Sequence, residues 1–514
     1  MSGADRRMLL GVAIATACSV GVFGAYNFVV DPISSDLDAT RNQALLLREI
    51  PSIGTLAVVF LVGAWGTRWG MKRVIVGSAV VTSLGYLIVL VSTSMPLVTV
   101  GMMLGSIGKQ GIGVVTISLV ATRLMNESER ASGFAAVGMA SPVGYLVIPV
   151  VANALLDATN WRVVVALWIA LSSAGAVAAF LLLPPDGERS EQGEMWTPAL
   201  AGLVLVGLVQ SVRLVSEAGV MAPRTLLWLG VMLLALIVLW QLMVRLVNPT
   251  LDLSLLRNGG ARLLLIVVVL LPFANLFYYF AVGVQDLYGY SAAETALLMV
   301  PCQLAAIAGA WIAGHGMKRL GLRTTGTVML LGLSASLFLT AAQTVTTPVV
   351  YPLLVLCLFA LTCTGGGVVL TNAVMNLSPA GKEGSASSIR SAAGAVGVAL
   401  GVAMSAAVFF GTTQGTLTQL VADSGGDITT AEEIVSAVRD STVTAEQIAS
   451  TYSLPIDVVT SYETELLESR VAGYRAQGLL GGCIGLIAAL VFFFNRRGLR
   501  PVEMVQGADR SQPA

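Results

Sequence analysis

Lys109 and Gln110 stand side by side in the middle of an apolar run, 96–121, long enough to cross a bilayer. A lysine at that depth costs roughly 3 kcal/mol on insertion scales unless it is paired or hydrated. Its ammonium could hold a substrate or a carboxylate by charge, or reach an internal water pocket. Asn27, Asn275, Tyr278, Gln303 and Asn372 are further polar groups set in apolar runs; they could line a binding cavity. The carboxylates nearest to membrane depth are Glu49, Asp31 and Asp286. Each could take up and release a proton as its surroundings change, or sit at the membrane interface in contact with water. The chemistry on offer is therefore binding and proton movement. No nucleophile–base arrangement, metal-ligand spacing or phosphate loop of the GxxxxGK[ST] type occurs. An enzyme, a metal, a cofactor and ATP as driving force are not expected.

The elements that must carry these groups are membrane helices. The 514 residues are 56% apolar and only 11% charged, against about 25% charged in soluble proteins. A span needs about 20 apolar residues. Such runs lie at 8–30, 50–67, 74–93, 96–121, 133–155 and 162–183, then 197–214 and 225–246, then 263–284, 293–313, 324–342, 349–371, 386–411 and 473–495. These predict fourteen spans, arranged as six, a pair and six. The corresponding divisions are 1–183, 184–260 and 261–514, with a long segment at 412–472 before the last span. Thr430 with Glu433 and Thr444 with Gln447 read as capping boxes there, and Pro455 opens a helix leading into the last span. Formal net charge is zero, so no nucleic acid is implied as partner. The cysteines, Cys18, Cys302, Cys357, Cys363 and Cys483, fall in apolar runs and are expected to be free, buried thiols.

Basic residues give the orientation. Twenty of the 29 Lys and Arg, Arg390 among them, fall on the side of the N-terminus, and eight fall on the other side, with Lys109 inside a span. The excess marks the cytoplasmic face, which places both termini in the cytoplasm. Part of it comes from Gly63–Val74, GAWGTRWGMKRV, between the second and third spans, with Gly63, Arg68, Gly70, Lys72 and Arg73. A second copy, Gly314–Arg323, carries Gly314, Lys318, Arg319, Gly321 and Arg323. Repeated loops in two halves point to an internally duplicated membrane protein.

The first loop resembles the motif between the second and third helices of the major facilitator superfamily, whose pattern has an acid where Thr67 stands. Gln110-Gly111-Ile112-Gly113 resembles the fourth-span motif of its drug exporters, which carry an arginine where this chain has Ile107. Gly138, Pro142 and Gly144 resemble the fifth-span antiporter motif, with Ser141 and Tyr145 in place of glycines. In the first span Asn27 matches, but Val22 stands where the family often has an acid. The likeness runs through nearly the whole chain and is greatest to the fourteen-helix drug:proton antiporters.

That resemblance implies an all-α integral membrane protein with the major facilitator fold, two six-helix bundles plus two extra transmembrane helices. It implies a multi-pass monomer of the cell membrane, in contact with lipid, moving small molecules outward in exchange for protons. Asn27, Lys109, Gln110, Asn275, Tyr278, Gln303 and Asn372 are its candidate substrate contacts, and Glu49, then Asp31 and Asp286, its candidate proton carriers. The glycine and basic residues of the loops and the fifth span are its candidate conformational parts. Export of a lipid or cell-envelope metabolite, or a receptor or scaffold without transport, fits the same residues.

Overall fold

Lipid offers no hydrogen-bond partners, so each crossing must satisfy its backbone within a helix. Local sequence sets where the helices begin. Ser2 with Asp5 and Thr40 with Gln43 form reciprocal capping boxes; Asn126, Asn160 and Asn258 accept from the first-turn amides of the helices they precede. The structure is a computed structural model that describes residues 1–186, 194–246, 249–274, 287–290, 292–379, 381–423, 456–496 and 498–499. Among these residues no strand occurs.

The first half comprises α1 (Gly3–Asp36), α2 (Arg41–Trp69), α3 (Met71–Leu90), α4 (Met95–Arg123), α5 (Glu127–Ala158) and α6 (Trp161–Leu182). The inserted pair is α7 (Trp196–Ala218) and α8 (Pro223–Arg245). After a short turn of helix, α9 (Ser254–Arg257), the ninth span begins as α10 (Gly259–Leu270) and a 3₁₀ turn, Leu271–Ala274. The rest of the second half is α11 (Ala292–Leu298), α12 (Val300–Thr340), α13 (Val350–Asn376), α14 (Glu383–Asp423) and α15 (Ile456–Phe494). Twelve described helices are long and apolar enough to cross a membrane. One of them holds the tenth and eleventh spans together, so thirteen of the fourteen expected crossings have a counterpart; α10 starts the ninth, and the rest of that run, from 275, lies outside the described residues.

Two junctions differ from the expected loops. Both basic segments are helical almost throughout, and each breaks at one glycine. Gly70 (φ 98°) alone separates α2 from α3, and Gly321 (φ 82°, ψ 164°) divides α12 into two helical arms. Positive φ suits a glycine and strains other residues, so one residue reverses the chain where sequence suggests a longer loop. In the 412–472 segment α15 starts at Ile456, directly after Pro455 as expected, while α14 runs past its expected end to Asp423, because beyond the bilayer a helix no longer needs an apolar sequence. They stay packed through Phe409 and Tyr474, whose rings lie 4.7 Å apart. The two expected capping boxes lie outside the described residues. The thiols also need correction: only Cys302 is fully buried, and Cys483 is exposed on its helix.

In the first half α1 packs on α5 and α6, and α4 on α2 and α3; in the second, α12 packs on α13 and α15, and α14 on α10 and α15. The halves meet along α5 against α12 and α13, and along α2 and α4 against α14. The inserted α7 lies on α2 and α14, with α8 almost wholly exposed outside it. On the face away from the basic loops, Trp161 Nε1 (3.0 Å) and Arg162 (2.8 Å) donate to Asp36. These bonds, the Trp161 one foremost, hold the Asp36 carboxyl below the usual range. Their stabilising effect is present above the unfolded carboxylate's pKa and is lost as pH falls through the lower folded value.

Candidate functional site

A cavity of about 650 Å³ lies between the halves. Its walls come from α1 (Thr16, Val20), α4 (Gly113, Thr116, Ile117), α5 (Phe134 to Tyr145), α12 (Gln303, Ala306), α13 (Thr364 to Thr371) and α14 (Arg390). Val20, Ile117, Phe134, Val137 and Val368 make it largely apolar. Arg390 is the charged residue among its described lining.

The cavity is sealed toward the basic loops by close contacts between halves. Gly63 of α2 meets the start of α14, and a Cβ on Gly384 would lie 2.6 Å from the Gly63 carbonyl oxygen. Gly314 of α12 meets Ala135 of α5 in the same way, where an added Cβ would come within 2.5 Å. The arrangement repeats in both halves, since Gly63 precedes Gly70, and Gly314 precedes Gly321, by seven residues. Beside these contacts the Ser118 and Ser387 hydroxyls are 2.6 Å apart, and Arg130 donates to Asn376 at 2.8 Å. Leu119, Val120, Phe134, Ala313 and Val374 fill the space behind in a core shared by both halves.

The basic residues after each glycine break also act alike. Lys72 donates to the Leu183 carbonyl (2.9 Å) at the end of α6 and lies over the Phe180 ring (5.3 Å). Arg323 donates to the Phe493 carbonyl (2.9 Å) at the end of α15 and lies over that ring (4.2 Å). In each half the third span thereby ties down the C-terminal carbonyls of the sixth, where cations are favourable. The first loop has one more part. The Asp186 carboxylate, from beyond α6, accepts the backbone amides of Lys72 (2.8 Å) and Arg73 (3.4 Å) at the start of α3. Thr67, where the family pattern has its acid, turns its hydroxyl to the Ala64 carbonyl at 2.9 Å. Asp186→Ala is expected to lower stability by about 1 kcal/mol, the worth of a lost helix N-cap, read as a lower thermal midpoint of the purified protein.

The expected site residues are spread unevenly. Gln303 lines the cavity, as do Gly138 and Pro142. Gly144 packs on Ala17 and Gly21 of α1. Lys109 stands one turn from Gly113 on the α4 face that carries Gly113, Thr116 and Ile117, with Gln110 beside it. Ile107 faces the other way, into a crevice with Trp65, Ser78 and Val81. Asn372 is buried, its Nδ2 3.4 Å from Met317 Sδ. Asn275, Tyr278 and Asp286, and the Asn27 side chain, lie outside the described residues. Asp31 is exposed and paired with Arg48 at 2.6 Å. Glu49 is half-buried and paired with Arg213 of the inserted α7. Sequence reasoning placed Arg390 among the loop charges; the structure places it in the cavity. The available signal was its position inside the run that begins at 386.

The family model described as Major Facilitator Superfamily matches residues 12–402. The chain belongs to the major facilitator superfamily. It is thus a multi-pass membrane transporter, and the relatives agree. The uncharacterized transporter YebQ of Escherichia coli is 24% identical over 65% of this chain and 73% of its own length. The multidrug resistance protein Stp of Mycobacterium tuberculosis is 25% identical over 69% of this chain and 66% of its own, just under two thirds. Among solved structures, the human organic anion transporter MFSD10 superposes with a TM-score of 0.64, covering 96% of this chain and all of that one, at 13% identity. At that identity the superposition speaks for the major facilitator fold alone.

Proposed function

We propose that the protein exports amphipathic or lipophilic small molecules by alternating access, driven by proton entry. The observation that carries this reading is the central cavity, apolar with a few polar groups and sealed on the basic-loop face by glycine contacts that repeat in both halves. Such walls suit a broad, greasy substrate. The relative named for multidrug resistance supports the same substrate class. The Lys and Arg excess supports a cytoplasmic assignment for the sealed face, which leaves this conformation as the one that releases substrate outward. Both termini then lie in the cytoplasm. Cysteines introduced at Met125 and Gln414 in a background without the native five should label from the inside and the outside respectively; labelling of both from one side would refute this topology.

Glu49 is the first choice for the proton carrier. A carboxylate couples to protons when its pKa changes between states, and the Arg213 partner is on α7, which also touches α14 of the other half, so motion between the halves bears on the pair. In inside-out proteoliposomes with an acidic lumen, an amphipathic dye supplied outside should accumulate, and a protonophore should collapse the accumulation. Glu49→Gln should keep dye exchange down its own gradient while losing gradient-driven accumulation. Transport that continues unchanged after the gradient is collapsed would remove the coupling claim.

A further inference from the structure

Arg390 is unusual in what surrounds it. It points into a cavity between two halves of a membrane protein, and among the described residues it forms no ion pair. Among the described residues its hydrogen bond is long, from Nη2 to the Gly367 carbonyl at 3.5 Å. Its Nε is buried with no partner. A guanidinium has five donors in a fixed fork, so most of its capacity is unused. Two further cavity-lining groups are in the same condition: the Thr16 and Thr116 hydroxyls, on α1 and α4, are buried without a partner. A buried guanidinium N–H and buried hydroxyls left without partners are costly. No aspartate or glutamate occurs in the cavity's described lining. The next ionisable group along the α4 face, Lys109, is also a cation.

We propose that this cavity takes an amphipathic oxyanion, with Arg390 holding the anionic head and the apolar walls taking the body. The proposal rests on the reading above that this cavity is where small molecules are carried, and it narrows their class. A planar guanidinium receives a carboxylate or phosphate through two parallel hydrogen bonds. The Thr16 and Thr116 hydroxyls can donate to the remaining oxygen lone pairs. Val20, Ile117, Phe134 and Val137 supply the apolar contact. A cationic amphiphile would meet Arg390 with repulsion and no counter-charge in the described walls.

The test uses purified full-length protein in detergent and a set of matched probes. Dansylaminoundecanoate carries a carboxylate; its methyl ester has the same body without charge; the corresponding alkyl phosphate and alkyl trimethylammonium complete the set. The carboxylate or the phosphate should bind at least about tenfold more tightly than the ester, one charged hydrogen bond being worth roughly that factor, and the ammonium probe should bind most weakly. Whichever anion binds more tightly identifies the head group. Arg390→Gln should reduce the anion-to-ester affinity ratio by about tenfold or more, and Arg390→Lys should retain part of it. Thr116→Val, nearly isosteric, should weaken anion binding in the same direction and keeps the test open if the Arg390 variants do not fold. Equal affinity for anion and ester, preference for the ammonium, or an unchanged ratio in Arg390→Gln would each overturn the proposal. Anion binding without gradient-driven flux in liposomes would defeat the export reading and leave the oxyanion site standing. Gradient-driven flux of the ammonium probe alone would do the reverse.

Discussion

Lys109→Met is expected to reduce transport at least about tenfold, or to change which substrates are moved, while the protein stays folded and inserted. The helical geometry makes the case. From Lys109, four residues on is Gly113 and seven on is Thr116, both cavity-lining, and at about 100° per residue these share one face. Ile107 is turned about 200° away from Lys109 and packs toward α2 and α3. Lys109 therefore does not stand in for the arginine that the drug-exporter pattern has at Ile107; it lies on the opposite side of α4, the side that carries the cavity-lining Gly113 and Thr116. Removing one charged hydrogen bond to a substrate costs a factor of ten or more. Lys109→Arg should rescue only in part, because a planar fork does not reproduce a compact point charge. Initial rates in proteoliposomes, with monodispersity and thermal melting to confirm folding, give the answer. A normal rate and pH dependence in the methionine variant would make Lys109 a hydrated structural residue.

Gly63→Val should stop transport by preventing the basic-loop face from closing. A Cβ at Gly63 would overlap the Ser388 hydroxyl and approach the Gly384 carbonyl oxygen to 2.5 Å. The backbone oxygen cannot move aside as a flexible side chain can. Overpacking of this kind costs typically 1–3 kcal/mol, a shift of roughly five- to 150-fold against the closed state. The state that opens the cavity to the opposite face would then be rarely reached. A cysteine pair at Ser118 and Ser387 reports on closure directly, because those hydroxyls are 2.6 Å apart in the sealed arrangement. The pair should cross-link readily with Gly63 present and poorly with valine there. Gly77→Val is the control, since nothing lies within 4 Å of an added Cβ at that position. Equal cross-linking and equal flux in both variants would show that the Gly63 contact does not gate the cavity.

Much of the architecture was legible in the sequence because lipid reads local composition. Runs of apolar residues specify crossings wherever they occur, and thirteen of the fourteen have their counterparts among the described helices, with α10 at the start of the ninth. The repeated Gly63–Gly70 and Gly314–Gly321 spacings were legible too, because positive φ and helix contact at those positions both call for glycine. What the sequence could not assign was the direction in which a polar residue faces. Arg390 looked like a loop charge near the start of its run; only the packing of α14 against α2, α4 and α10 turns it into the cavity. Asp186 is more than a hundred residues from Lys72, yet it caps α3 because α6 returns to that end of the bundle. Glu49 read only as one of three carboxylates near membrane depth, and α7 brings Arg213 to it. Hydropathy is a property of a segment on its own. Rotation of a helix about its axis, and the partner that meets each face, are fixed by contacts between segments far apart in the chain, so only the tertiary structure decides them.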